Sequence, residues 1–343
     1  MIDRNKSIYS PERSNLLKLK AVGAYQEVLS KWYRQSQGEV IPGTNIVCIL
    51  TSGMRLGAYT AAQLSALERI GFKPEGIQSF VGTSVGATIG REFIGANIDE
   101  LAKLFANDII DGPKGRQRGI FLETRKLPLV DFVVTEDLFR DRGARESAVK
   151  SAIPELYMAL RGIDTGRVEF AKARDMDDTV IGVLSSMTID SITKRNSTKL
   201  KIGDDKKGRM FADPLIGETD LINYAINELG ATDLLIFFNS NPFINSTTDR
   251  LLNYVLTILE HRKNPKHLIW ALSELKSRNS NPAPYYQQLL TSENVCVAGI
   301  YPENSPLAPN DLRLNRIQRI MSEAESFAYS LGQEVITNIS PNK

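Results

Sequence analysis

The pentapeptide Gly82-Thr83-Ser84-Val85-Gly86 constrains the fold of this chain more than any other segment. It follows the short strand-like segment Ile77–Val81 directly and precedes a segment with helical character. A strand that turns at once into a helix crowds its own corner, and Gly82 and Gly86 let the two backbones pass because they carry no Cβ. The pattern G-x-S-x-G in this setting predicts a nucleophile elbow, in which the Ser84 hydroxyl projects from a strained turn at a helix N-terminus.

A glycine-containing loop stands before the elbow, between the strand-like run 45–50 and a helix that we expect from Ala58 to Ile70. Such a loop presents free backbone N–H groups, which can hold a phosphate or the oxyanion of an ester reaction. It lacks the Lys-Ser/Thr pair of a P-loop and the third glycine of a dinucleotide fingerprint, which disfavours phosphate. The candidate oxyanion donors are the backbone N–H groups of Ser52, Gly53, Met54 and Arg55.

Strand-like and helix-like patterns alternate along the chain, which predicts an α/β fold with three layers, a mostly parallel sheet flanked by helices. The net charge of +2 gives no bias toward nucleic acid. The two cysteines and two histidines lack the spacing of metal ligands, so we expect no metal site. A polar N-terminus and the absence of long apolar stretches favour a cytoplasmic protein.

The order strand, glycine-containing loop, helix, strand and elbow resembles that of the patatin-like phospholipases. Four later segments match that family in the same order: Asp164–Phe170 around T-G-R, Val183–Met187 with its Ser-Ser pair, Phe211–Asp213 as a strand ending in an aspartate, and Asn223–Ala231 as a helix with a glycine cap. The resemblance covers roughly residues 44 to 240 and extends more loosely to about 335. It implies an acyl hydrolase domain at 44–335, after an N-terminal extension at 1–43 with an amphipathic helix and before a tail at 336–343.

Serine is a weak nucleophile unless a base lies within hydrogen-bond reach. Asp213 follows the strand-like run Met210–Ala212, so its carboxylate is expected beside the elbow at the sheet edge. The alternative base is His261 or His267, because the order Ser, Asp, His is that of α/β-hydrolases. Both histidines stand in charged surroundings typical of solvated residues. We therefore expect a Ser84–Asp213 dyad.

Together with these residues, the resemblance implies a serine lipid acyl hydrolase of the phospholipase A type, which cleaves fatty-acyl esters at a membrane surface without a cofactor. The loop of the family reads G-G-G-x-R-G, whereas this chain has Ser52 and Met54 at the first and third glycine positions and Pro214 after the aspartate. These departures favour an alternative, a relative with little activity that binds lipid or a protein partner. A second alternative is a Ser-His-Asp carboxylesterase acting on small esters.

Three further segments are candidates for contact with a membrane. The segment Leu16–Tyr33 has amphipathic helical spacing, typical of a helix packed on the domain or of a helix at a membrane surface or partner. The basic stretch Lys114–Lys126 follows the elbow helix, where the resembled fold often carries a lid. The basic cluster between Lys194 and Arg209, with a hairpin tip expected at Asp204–Gly208, is either a solvated hairpin or a rim that meets anionic lipid headgroups, so the protein is expected in the cytoplasm or peripherally on membranes.

Overall fold

The computed structural model describes residues 16–53, 56–107, 110–112, 116–118, 123–125, 136–188, 199–243, 258, 283–304 and 314–339. The strands are β1 (Leu19–Gly23), β2 (Ile46–Leu50), β3 (Ser79–Gly82), β4 (Ile110–Gly112), β5 (Arg116–Arg118), β6 (Glu123–Arg125), β7 (Glu155–Gly162), β8 (Val168–Lys172), β9 (Lys199–Leu200), β10 (Arg209–Ala212), β11 (Asp233–Phe237) and β12 (Cys296–Pro302). The helices are α1 (Tyr25–Ser36), α2 (Gly57–Arg69), α3 (Val85–Ile94), α4 (Ile98–Asn107), α5 (Glu136–Arg142), α6 (Glu146–Ser151), α7 (Thr179–Met187), α8 (Glu218–Asn227), α9 (Ala283–Leu290) and α10 (Leu314–Ile339).

The described strands form one large sheet in the order β1-β12-β11-β2-β3-β7-β10-β9, with β8 also paired to β7, and a small separate sheet of β4, β5 and β6. The five central strands from β12 to β7 run parallel, and antiparallel strands complete both ends. The predicted α/β fold, with a mostly parallel central sheet flanked by helices, is confirmed.

Strand β2 explains why helices cover both faces. All its residues are buried, and successive side chains point to opposite faces of a sheet. Ile46, Cys48 and Leu50 belong to the apolar core that contains α2, α3 and α10. Val47 and Ile49 belong to a second core that contains α8 and α9. A strand that is apolar on both faces is stable only between two layers of helices, which is the arrangement observed.

Strand β7 carries partners on both edges. Residues 157–161 pair with β8 along one edge. Because a strand residue has one neighbour on each edge, the other two partners of β7 lie together on the opposite edge. There β3 runs parallel to β7 and its last residue, Gly82, pairs with Met158, while β10 runs antiparallel and its last residue, Ala212, pairs with Arg161. The carboxyl ends of β3 and β10 therefore face each other along one edge of β7.

The N-terminal segment differs from expectation. The helix predicted over Leu16–Tyr33 begins only at Tyr25, and Leu19–Gly23 forms β1, which pairs with β12 at the end of the sheet. The unpaired backbone groups of β12 require partners, and this pairing outweighs the helical periodicity. Three α1 side chains are wholly buried, which confirms a helix packed on the domain: Val28, Leu29 and Trp32.

Several expectations fall on other parts of the chain. None of the described helices is long and apolar enough to cross a membrane. The ends of the lid stretch, Lys114 and Lys126, lie outside the described residues. The closing helix α10 continues to Ile339. The domain boundaries at residues 44 and 335 stay predictions.

Candidate active site

Ser84 directly precedes Val85, the first residue of α3, and has φ 53° and ψ −126°. A positive φ is uncommon for a residue with a Cβ and costs about 1–3 kcal/mol, so the surrounding structure must impose it. Ser84 is 9% exposed. The predicted serine therefore lies in a strained turn at the N-terminus of a buried helix, the geometry expected from its sequence context.

The elbow glycines are required by close packing. A Cβ on Gly86 would lie 2.0 Å from the carbonyl oxygen of Leu50, and a Cβ on Gly82 would lie 2.7 Å from the backbone nitrogen of Ala87. Both contacts are with backbone atoms that cannot rotate away. Helix α3 thus begins directly against the end of β2, which brings the elbow next to the loop that follows β2.

Ser186 of α7 fixes the elbow backbone. Its Oγ accepts a hydrogen bond from the N–H of Ser84 over 2.7 Å and donates to the carbonyl oxygen of Ala159 over 3.0 Å. Its side chain is wholly buried. In the sequence, the Ser185-Ser186 pair stands out only as part of a family resemblance, and no role follows from it there. The signal that could have revealed it is the presence of hydroxyls in an otherwise apolar helix.

Asp213 follows the last residue of β10 and is 8% exposed. Its backbone N–H donates to the Thr188 carbonyl over 2.8 Å, and its own carbonyl accepts from Arg161 Nε over 3.2 Å. Its Oδ1 accepts from the N–H of Leu215 over 2.8 Å, which closes a turn around Pro214. This turn is the local structure that an aspartate commonly stabilises at a strand end.

The two predicted catalytic residues thus follow the facing ends of β3 and β10. Between the paired positions Met158 and Arg161 stand only Ala159 and Leu160, an axial separation of roughly 10 Å at about 3.3 Å per residue. The end of α7 contacts both residues. Ser186 Oγ accepts a hydrogen bond from the Ser84 N–H, and the Thr188 carbonyl accepts one from the Asp213 N–H. The structure therefore brings both residues to one edge of β7.

The predicted oxyanion loop lies beside the elbow. Strands β2 and β3 pair in parallel with Leu50 opposite Gly82, so Ser52 and Ser84 each stand two residues beyond an aligned pair. Ser52 and Gly53 are half-buried, and Gly53 has φ 144°. Neither backbone N–H has a hydrogen-bond acceptor within the described part of the chain. Two candidate donors are therefore available next to the serine.

Other predicted site residues lie outside the described residues. These are the loop residues Met54 and Arg55 and the histidines His261 and His267. Asn239, which the sequence did not predict as a site residue, is buried after β11, and its side-chain amide donates to the carbonyl oxygens of Thr51 at 2.6 Å and Ser52 at 3.0 Å. An isolated asparagine after an apolar strand carries no local pattern that distinguishes it from a turn residue.

One group of side chains among the described residues has the composition of a metal site. Potential ligand atoms of Glu27, Asp233 and Cys296 lie within 4.8 Å of one another. The Nζ of Lys31 lies 2.8 Å from Glu27 and 2.7 Å from Asp233, where a cation would bind. Although burial opposes its charge, hydrogen bonds to Asp233 and Glu27 raise the pKa of Lys31 to about 12. An ammonium group thus occupies this position at neutral pH.

The basic hairpin is formed by β9 and β10, and its tip at Asp204–Gly208 is confirmed. Asp205 Oδ1 accepts from the backbone N–H groups of Lys207 and Gly208 at the tip. Arg209 forms a bidentate ion pair with Glu169, with both distances at 2.7 Å, so its charge is already matched. Four lysines of the hairpin are exposed: Lys199, Lys201, Lys206 and Lys207.

Among known proteins, a solved structure shows a likeness to this chain. No family model matches the chain, and no curated protein matches it. The crystal structure of VipD from Legionella pneumophila aligns over 96% of this chain and 72% of its own, with 12% identity and a TM-score of 0.39. This likeness does not bear on the chemistry of the site.

Proposed function

We propose that this protein is a serine lipid acyl hydrolase of the phospholipase A type, with Ser84 as nucleophile and Asp213 as base. One observation carries the proposal: a serine in a strained elbow and a nearly buried aspartate follow two strand ends that face each other on β7. The end of α7 holds both backbones, through Ser186 and Thr188. Strain held in place by such contacts is typical of catalytic residues.

In the proposed reaction, Ser84 Oγ attacks the ester carbonyl carbon while Asp213 takes the proton of the Ser84 hydroxyl. The backbone N–H groups of Ser52 and Gly53 hold the oxyanion of the tetrahedral intermediate. The intermediate collapses to an acyl-enzyme, and Asp213 returns the proton to the departing alcohol. A water oxygen then attacks the acyl carbon while Asp213 accepts a proton from that water. The bond from the acyl carbon to Ser84 Oγ breaks, Asp213 returns the proton to Oγ, and the fatty acid leaves.

The lipid substrate rests on two supports. The order of motifs around Ser84 and Asp213 resembles that of patatin-like phospholipases. The exposed lysines of the β9–β10 hairpin stand on the segment that leads into Asp213, and basic side chains attract anionic lipid headgroups. We therefore propose that the enzyme acts on acyl lipids at a membrane surface.

Incubation with a fluorophosphonate probe tests the nucleophile, because the probe forms a covalent adduct only with an activated serine. We expect a single adduct that maps to Ser84. The Ser84→Ala variant should lose labelling and lower fatty-acid release from phosphatidylcholine vesicles by about 10³-fold or more, with an unchanged melting temperature. Undiminished release by the variant refutes the proposal.

A second candidate function, lipid or protein binding without catalysis, has its own support. Asp213 Oδ1 already accepts a hydrogen bond from Leu215, in a turn shaped by the Pro214 that replaces the glycine of the resembled family. A carboxylate held in this way can serve the turn alone. Absence of probe labelling together with saturable binding to vesicles would favour this candidate over the hydrolase.

A further inference from the structure

Three adjacent parallel strands end in register on the site. The aligned residues are Phe237 of β11, Leu50 of β2 and Gly82 of β3. Asn239, Ser52 and Ser84 each stand two residues beyond these positions, in that order across the sheet. The loop that begins at Ser52 therefore lies between Asn239 on one side and the proposed nucleophile on the other.

Asn239 is 1% exposed and holds this loop through its whole side-chain amide. Its Nδ2 donates to the carbonyl oxygens of Thr51 and Ser52, at 2.6 and 3.0 Å. Because carbonyl oxygens only accept, these two contacts fix the orientation of the amide, and its Oδ1 accepts from the Thr60 hydroxyl at 2.8 Å. Its backbone N–H donates to Thr51 Oγ1 at 2.9 Å, and the Tyr59 hydroxyl donates to its carbonyl oxygen.

These bonds determine where the loop donors point. In a regular strand, successive carbonyls point to opposite sides, but here the carbonyls of Thr51 and Ser52 both bond to one Nδ2 atom. In a trans peptide the N–H points opposite to the carbonyl of the preceding residue. The N–H groups of Ser52 and Gly53 must therefore both point away from Asn239, toward the side of Ser84. Successive N–H groups that point the same way form an anion-binding concavity.

We infer that Asn239 is a positioning residue that aligns the oxyanion donors of Ser52 and Gly53 by binding the carbonyls behind them. The inference rests on the proposed hydrolase function and adds a residue outside the motifs. Asn239 touches no substrate in this scheme and acts through the loop.

The test is the steady-state kinetics of Asn239→Asp on a short soluble ester. Aspartate keeps the size and the acceptor for Thr60 but replaces the Nδ2 donor with an oxygen that repels both carbonyls. Loss of an aligned oxyanion donor should lower kcat by about 10²–10³-fold, with KM changed only a few-fold. Asn239→Ala removes the hydrogen bonds to both carbonyls without burying a charge. The same kinetic measurement is made on this variant if Asn239→Asp does not fold.

Thr60→Val is the matched control, because it removes one hydrogen bond to Asn239 and leaves both carbonyl contacts in place. It should lower the melting temperature and keep kcat within about threefold of wild type, since no oxyanion donor moves. A second readout is inhibition by an alkyl trifluoromethyl ketone, which forms a tetrahedral adduct on Ser84 with an oxyanion. Its Ki should rise in the Asn239 variants by the factor that kcat/KM falls.

Folded Asn239 variants with kcat within threefold of an active wild type overturn this inference and leave the hydrolase proposal intact. A kcat loss in Thr60→Val equal to that in the Asn239 variants also overturns it, because the loss of kcat then results from lower stability and not from misaligned oxyanion donors. A wild type that neither hydrolyses esters nor labels with fluorophosphonate refutes the proposed function, and the inference falls with it.

Discussion

The backbone N–H of Ser84 donates to the hydroxyl of Ser186 over 2.7 Å. The same hydroxyl donates its own proton to Ala159 of β7 over 3.0 Å. One side chain thus ties the elbow to the strand that borders the site. We attribute to this link part of the free energy that holds Ser84 at a positive φ, which alone costs about 1–3 kcal/mol.

Ser186→Ala should therefore weaken both stability and the elbow. It leaves the Ser84 N–H and the Ala159 carbonyl buried without this partner, which should lower the free energy of unfolding by about 2 kcal/mol. Urea unfolding measures this loss, and the rate of fluorophosphonate labelling measures the elbow. Ser185→Ala is the control: its hydroxyl has no hydrogen bond among the described residues, and it should cost less than about 1 kcal/mol. Equal effects of the two substitutions would contradict the link.

Asp213→Asn should abolish turnover while the protein stays folded. Asparagine keeps the oxygen that accepts from Leu215, so the turn persists, but it cannot take the proton from Ser84. The loss of a general base lowers kcat by about 10²–10⁴-fold. Ester hydrolysis and thermal melting of the variant give the measurement. His261→Ala and His267→Ala should stay within a few-fold of wild type, and a histidine variant as inactive as Asp213→Asn would replace the dyad with a triad.

Lys206 and Lys207 should contribute to vesicle binding, whereas Arg209 should contribute little because Glu169 already matches its charge. Each basic side chain near an anionic bilayer contributes about 1 kcal/mol, and salt screens it. Replacing both lysines with glutamine should weaken co-sedimentation with anionic vesicles at low salt and leave soluble-ester turnover unchanged. Binding equal to that of wild type would show that the hairpin lysines have no role in vesicle binding and are only solvated.

Glu68 should make stability depend on pH. Burial, with repulsion from Asp99 and Glu75, raises the pKa of Glu68 from its ordinary 4.5 to about 7. The folded state thus keeps a proton that the unfolded state releases between these values, so the free energy of unfolding falls as pH rises from 4.5 to 7. The loss at pH 8 is up to about 3 kcal/mol. Glu68→Gln should flatten this slope in urea titrations and exceed wild type in stability at pH 8; parallel slopes would exclude Glu68 as the cause.

Local patterns predicted the parts of the molecule that local physics determines. The strand, turn and helix around Ser84 follow from an apolar run, flanking glycines and helical spacing within a few residues. The alternation of such units determined the α/β class. The helix predicted over Leu16–Tyr33 was wrong in its first half, because the open edge of β12 lies far away in sequence and no pattern within that segment reports it.

The supporting residues of the site could not be predicted for a related reason. Ser186 and Asn239 act through hydrogen bonds from side chains to distant backbone atoms, and serine and asparagine are common in helices and turns for other reasons. The facing strand ends are likewise a property of registers between separate parts of the chain. Only the three-dimensional pairing of β7 reveals that Gly82 and Ala212 end on the same edge.

The short pairing of β10 determines where this chain can gain or lose a residue without moving Asp213. Strand β10 has four residues and pairs with β7 at two positions. Its length therefore sets how far Asp213 lies from the hairpin tip. One residue inserted within Arg209–Ala212 moves Asp213 by about 3.3 Å and turns its side chain to the other face of the sheet. The same insertion at the exposed tip is absorbed by the turn. We therefore expect an inserted residue to preserve the site when it lies before Arg209 and to disrupt the site when it lies after it, although both positions belong to one small hairpin.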